Sequence, residues 1–270
     1  MDIGNRHVVI TGAAGGIGAA TAAQLAEAGA RLSLVGRDRP KLEALGRRLD
    51  RTGARTAAIV ADLCQAGGPA AAIAEAVAEN GPIDILVNNA GVNHFGRFAA
   101  MTAAEIDGLL ATNVMAPMKL VHAALPDMIA RRQGKIVNIG SVFGGIGFAG
   151  FAAYSAGKFA LRGFSEALRR ELHGSGVSVV YVAPRYTRTA LNVGAVERMA
   201  TALALRMDDP AAVALRIARA IREDAAECTI GLPERFFVRL NALFPRLVDS
   251  GLTKTTARML SFVSDPARSA

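Results

Sequence analysis

The 270-residue chain predicts an α/β fold, one doubly wound parallel β-sheet with helices on both faces, followed by a helical C-terminal extension. Two observations carry this expectation. Short apolar runs alternate with helical patterns from residue 6 to about residue 231, the order produced by right-handed βαβ units. Gly12, Arg37, Asp62, Asn89 and Ser141 each fall where one of those runs ends, and in an open parallel sheet ligands gather at the carboxyl ends of the strands.

Residues 6–11 read as a buried strand, followed by Gly12-Ala13-Ala14-Gly15-Gly16-Ile17-Gly18 and a helical pattern to about Ala28. Glycines in such a turn let backbone N–H groups approach a pyrophosphate at the positive end of a helix, so Gly12, Gly16, Ile17 and Gly18 are expected to touch a dinucleotide. A second strand, residues 31–35, ends at Gly36-Arg37-Asp38. An acidic side chain at that tip binds a ribose 2′-hydroxyl, whereas an arginine accommodates a 2′-phosphate. Arg37 favours NADP(H), and Asp38 one residue later keeps NAD(H) open. Helix 40–51 leads to strand 56–61 with Asp62-Leu63 at its tip, then helix 69–79 and strand 83–87, which ends in Asn88-Asn89-Ala90-Gly91. A long helix is expected from about Glu105 to Arg131, bearing Asn113 in an apolar stretch. That residue reads either as a satisfied core amide or as a water holder. Strand 135–140 delivers Ser141, and strand 177–183 ends at Pro184. Residues 185–206 lack periodicity and read as a lid or binding loop. Helix 210–222 and a short strand 228–231 complete the sheet, giving one domain over residues 1–231, with 232–270 as its extension.

The chemistry centres on residues 141–158. Tyr154 and Lys158 stand i and i+4, which places phenol and ammonium side by side on one helix face. A free phenol titrates at about pH 10. A neighbouring cation favours the phenolate and brings the group toward a range where it can exchange a proton. Ser141 at a strand tip can hold a substrate oxygen beside that phenol. The intervening loop carries Phe143, Ile146, Phe148 and Phe151 and no charge, so it is expected to line the substrate side and to favour a hydrophobic substrate over a sugar or a small polar ketone.

With 51% hydrophobic and 20% charged residues, the composition is that of a well-packed globule and excludes extensive disorder. Cys64 and Cys228 are too isolated for a disulfide framework, which points to a reducing, cytoplasmic setting, and the four histidines lack ligand spacing, so no metal is expected. The N-terminus shows no export signal. Residues 136–157 are uncharged over a membrane-spanning length, yet six glycines with Asn138, Ser141 and Tyr154 identify buried strand and active site. The net charge of +8 raises nucleic acid, an anionic membrane or anionic ligands as partners. The basic residues are dispersed without aromatic interleaving or a nucleic-acid motif, so nucleic acid is set aside in favour of an anionic cofactor and substrate.

Along residues 233–248, Phe236, Phe237, Leu240, Leu243, Phe244, Leu247 and Val248 share one broad helical face, with Arg235, Arg239 and Arg246 away from it. Three uses stay open: a cover for the substrate pocket, a subunit seal, or peripheral contact with an anionic membrane surface.

Taken together, these residues resemble the classical short-chain dehydrogenase/reductase family over roughly residues 6–231. Thr11-Gly12, Gly16 and Gly18 match its Rossmann-type cofactor turn, Asp62 and Leu63 its adenine contact, and Asn88-Asn89-Ala90-Gly91 its fourth-strand motif. Asn113, Ser141, Tyr154 and Lys158 match its catalytic tetrad. The resemblance implies that Tyr154 exchanges the proton with a carbonyl or alcohol oxygen, Lys158 lowers its pKa and binds nicotinamide ribose, Ser141 holds the substrate oxygen, and Asn113 holds a relay water. Hydride passes between nicotinamide and substrate carbon. Thr189 stands where the carboxamide contact is expected. Two departures are Pro184-Arg185 in place of Pro-Gly, and Gly15 where many NADP-dependent members carry a basic residue. The resemblance also implies a homodimer or homotetramer assembled through helices 105–131 and 152–173. A 3-oxoacyl-carrier-protein reductase and a catalytically silent NADP(H)-binding scaffold are the alternative functions.

Overall fold

The computed structural model describes residues 2–263. Seven strands, β1 (His7–Thr11), β2 (Arg31–Gly36), β3 (Thr56–Val60), β4 (Ile85–Asn88), β5 (Gly134–Ile139), β6 (Val177–Ala183) and β7 (Glu227–Thr229), form one sheet in the order β3-β2-β1-β4-β5-β6-β7. Every pairing is parallel. The order reverses between β1 and β4, so the chain is doubly wound, as the alternating pattern predicts, and the crevice at that reversal is where such folds bind ligand.

β1 shows why these runs become interior strands. All five of its residues are buried, because side chains alternate between two covered faces. Val8 and Ile10 join the core beneath α1 (Gly16–Glu27), α2 (Arg39–Asp50) and α8 (Pro210–Glu223), while Val9 joins the opposite core beneath α3 (Gly68–Asn80), α5 (Ala116–Ala130) and α6 (Ala152–Glu171).

The long helix expected from Glu105 to Arg131 is in fact three pieces. α4 (Ala103–Leu110) opens with a complete capping box between Thr102 and Glu105. A π-helical turn, Ala111–Met115, then separates it from α5. Pro117 lacks the N–H that an unbroken α-helix would donate to the Asn113 carbonyl, and the chain instead bonds Ala116 N to Ala111 O, five residues back. The region 185–206 is also less irregular than its sequence suggests, because it contains α7 (Ala195–Ala202). The expected C-terminal helix is a hairpin of two, α9 (Leu232–Leu243) and α10 (Pro245–Leu260). Phe244 leaves helical geometry, with φ −135° and ψ 62°, and Pro245 starts the second helix. Val238, Val248 and Met259 are the buried members of this hairpin, the two valines packed on Val142 and Ile146 and Met259 on Phe151, Val196 and Met199. Most of the apolar face read along residues 233–248 is exposed, with Phe236, Phe237, Leu243, Phe244 and Leu247 all on the surface.

Candidate active site

The cofactor side is built by the β1 and β4 tips. Thr11 Oγ1 accepts from the backbone N–H of Asn89 at 3.0 Å and of Ala90 at 3.1 Å, and the Asn89 amide returns bonds to the carbonyls of Thr11 (3.0 Å) and Gly12 (3.2 Å). This lattice fixes the Gly-rich turn against the fourth-strand motif. Gly12 has φ +62°, a left-handed value that favours glycine. A Cβ on Gly18 would run into the Gly12 carbonyl and lie 2.7 Å from Asn89 Nδ2, so only glycine lets α1 start this close to the turn. A Cβ on Gly16 would lie 2.9 Å from Thr189 Cγ2, which places Thr189 directly over the turn despite 173 residues of intervening numbering.

Between these elements runs a cleft of about 210 Å³. Gly12, Gly16, Ile17, Asn89, Ala90 and Gly91 line it together with Tyr154, Lys158 and Thr189. Its glycine cradle and the α1 N-terminus suit a pyrophosphate, and Tyr154 and Lys158 add polar groups to the same cleft, so the residues present fit a dinucleotide. Arg37, Asp62 and Leu63 lie beyond this lining, just past the ends of β2 and β3. Asp62 accepts the Cys64 N–H at 3.0 Å, and the Leu63 side chain is buried in the core. Asp38 is engaged: its carboxylate caps α2 through Lys41 N–H (3.1 Å) and pairs with Lys41 Nζ (2.7 Å), which holds it below the usual carboxylate range. Arg37 is exposed, and among the described residues it has no salt-bridge partner.

The four catalytic candidates converge beside that cleft. The Ser141 side chain stands beside the Tyr154 phenol, and its own backbone is held by Tyr181, whose hydroxyl donates to Ser141 O at 3.3 Å and accepts from Ser141 N at 3.4 Å. Lys158 Nζ donates to Ile139 O at 3.0 Å and lies 5.7 Å from the Tyr154 ring centroid. The Asn113 amide clamps Val92 from both ends at 2.9 Å. That side chain is therefore committed to protein.

Phe143, Phe148 and Phe151 form a connected aromatic cluster that reaches Tyr154, with ring centroids 4.7 Å apart for Phe143–Phe148, 5.0 Å for Phe143–Phe151 and 6.0 Å for Phe143–Tyr154. Ile146 packs with Val238 and Val248 in a neighbouring cluster that Phe148 also touches. Phe95, Tyr186 and Met199 join the cluster from elements far away in sequence. Arg185, in the place of the family's usual glycine, grips Asp208 with two bonds of 2.8 Å and Glu234 at 3.1 Å, tying the loop after β6 to α9.

Burial governs the titration of the pair. It pushes the Tyr154 phenol up to about 12, partly offset by Ser141, and Lys158 down to about 8. The expected lowering of the phenol by Lys158 is thus absent in the chain alone, because the ammonium is drawn to Ile139 O and desolvation dominates. At neutral pH the phenol keeps its proton and the lysine its charge. A lysine whose folded pKa is depressed destabilises the fold below that pKa, and the penalty disappears as pH rises from about 8 towards its unfolded value. Urea unfolding of the wild type is therefore expected to show a gain from pH 7 to pH 9.5 of about 2 kcal/mol from this residue. Lys158→Met removes that gain, and an unchanged pH dependence in the variant would show that the charge is relieved some other way.

Comparison with known proteins agrees with this geometry. The family model described as short chain dehydrogenase matches residues 6–200. Ketoacyl reductase HetN of Nostoc is 34% identical over 226 residues, covering 83% of this chain and 78% of its own. A metagenomic short-chain oxidoreductase solved with NADP superposes with a TM-score of 0.73 at 33% identity, over 85% of this chain and 98% of that one. At 24% identity, a Burkholderia phymatum short-chain dehydrogenase/reductase solved with NAD shares the fold with a TM-score of 0.85 over 92% of this chain and 96% of that one. Matched across most of its length by family, relative and solved structure, the chain belongs to the short-chain dehydrogenase family of oxidoreductases.

Proposed function

We propose that this protein is an NADP(H)-dependent oxidoreductase that interconverts a carbonyl and a secondary alcohol on a hydrophobic substrate. The observation that carries this reading is the placement of Tyr154 and Lys158 in the glycine-lined cleft with Ser141 beside the phenol, a group that can give a proton to a carbonyl oxygen or take one from an alcohol. Ser141 hydrogen-bonds the same substrate oxygen and aligns it with the phenol. Lys158, charged at neutral pH, replaces the proton that Tyr154 gives up and orients the ribose. Asn113 spends its side chain on Val92, so its backbone carbonyl, released from an α-helical bond by Pro117, is the group that holds the relay water. The nicotinamide supplies the hydride when bound. NADP(H) over NAD(H) is favoured by an unpaired Arg37 beside an Asp38 already used as a cap, and by the NADP complex of the metagenomic relative.

The aromatic wall of Phe143, Phe148 and Phe151 supports a hydrophobic substrate. A steady-state series of aliphatic ketones with NADPH tests this. Catalytic efficiency is expected to rise with chain length, and a preference for small polar ketones would overturn it. The Nostoc relative's name and the charge of +8 favour a second reading, reduction of a 3-oxoacyl group on an acidic carrier. Activity confined to carrier-bound thioesters would select it. Met115, Met118 and Phe159, exposed on the π turn, α5 and α6, support assembly as a homodimer or homotetramer.

A further inference from the structure

The α9–α10 hairpin carries a surface that the reaction does not use. Its buried side holds Val238 and Val248, 6% and 7% exposed on Val142 and Ile146, and Met259, 4% exposed on Phe151 and Met199, while Asn241 Nδ2 donates to Gly145 O at 3.0 Å. On its outer side Phe236 is 61% exposed, Leu243 72%, Phe244 58% and Leu247 61%. A contiguous apolar face of this kind marks an interaction site. Its surroundings are basic. Residues 232–260 contain Arg235, Arg239, Arg246, Lys254 and Arg258 against only Glu234 and Asp249, and Glu234 is already paired with Arg185. Arg235, Arg239 and Arg246 are exposed and interleave with the apolar residues along the chain.

We propose that this face docks on an anionic lipid bilayer, with Phe236, Leu243, Phe244 and Leu247 entering the interface and the three arginines meeting lipid phosphates. Charge complementarity selects this occupant. In an isologous dimer through the same face, each arginine cluster would approach its own copy with little acidic compensation, whereas an anionic membrane supplies the counter-charge. Among the described residues no helix is long and apolar enough to cross a membrane, so the hairpin lies on the surface. The hairpin is anchored to Val142 and Ile146, in the loop that carries Phe143 and Phe148 of the aromatic wall, so docking would bring a lipid-dissolved substrate to that loop. That use of the docking rests on the hydrophobic-substrate reading above; the docking itself does not.

The test is flotation of the full chain with phosphatidylcholine vesicles, with and without phosphatidylglycerol, at low and high salt. Binding is expected only with phosphatidylglycerol and is expected to weaken with salt. The combined Arg235→Gln, Arg239→Gln and Arg246→Gln variant is expected to bind about a hundredfold more weakly, and Phe236→Ser with Phe244→Ser and Leu247→Ser is expected to lose binding. Absence of binding to phosphatidylglycerol vesicles, or both variants binding as the wild type does, overturns the proposal. So does sedimentation showing that the apolar variant dissociates an oligomer while vesicle binding is absent. NADPH turnover of a water-soluble medium-chain ketone without vesicles is measured in parallel. Its loss in the wild type would count against the enzymatic reading, while flotation alone decides the docking.

Discussion

Tyr154→Phe is expected to lower NADPH-dependent ketone turnover by about a thousandfold while leaving nucleotide affinity within about twofold. Phenylalanine preserves the ring and its edge contacts with Phe143 and Phe151, so the aromatic wall and the cleft stay in place. It removes only the hydroxyl that meets Ser141 and would meet the substrate oxygen. A group that acts only when the proton moves should depress kcat without weakening cofactor binding. Stopped-flow turnover together with fluorescence titration of NADPH separates the two effects. Activity within about tenfold of wild type would move the proton donor elsewhere.

Arg37→Asp is expected to weaken NADPH binding by about a hundredfold, the scale of a lost charge-assisted bond to phosphate with added repulsion. NADH binding should change little or improve. The site favours a large effect because Arg37 is exposed with no salt-bridge partner among the described residues, whereas nearby Arg39 pairs with Glu43 at 3.7 Å and Lys41 with Asp38 at 2.7 Å. Parallel titrations with both nucleotides read the result directly. An unchanged NADPH-to-NADH ratio would show that the 2′-phosphate is recognised by other residues.

The parallel sheet was legible because its central strands are buried on both faces and most of the helices between strands are unbroken, so local pattern and tertiary role coincide. Residues 177–183 illustrate this, since the apolar run Val177–Ala183 is itself β6, buried at all positions but Ser178. The π turn was not legible. Helical periodicity runs through residues 111–115 unchanged, and the interruption depends on Pro117 and on the Asn113–Val92 clamp across 21 residues. The C-terminal break did have a local signal in Phe244-Pro245 that the wheel over 233–248 overrode. A wheel also cannot tell which apolar side is covered; here the loop at Val142–Ile146 selects Val238, leaving the phenylalanines outside.

At the site, residue types and spacing pointed to Ser141, Tyr154 and Lys158, because an i,i+4 pair and a strand tip are local features. Their supports were hidden. Tyr181 reads as one more apolar strand residue until its hydroxyl is seen holding both backbone groups of Ser141, and Arg185 acquires its partners only from positions 208 and 234. The direction of the Tyr154 shift was hidden for the same reason, since burial is a property of the assembled loop and not of the Tyr154–Lys158 spacing.

The most direct measurement of the central claim is hydride transfer itself, with NADPH deuterated at nicotinamide C4 and a panel of hydrophobic ketones analysed by mass spectrometry. The account predicts secondary alcohols carrying one deuterium at the former carbonyl carbon, formed by the wild type and nearly absent with Tyr154→Phe. Tight NADPH binding with no deuterium delivered to any ketone or 3-oxoacyl thioester would contradict it, and would make the protein a nucleotide-binding scaffold.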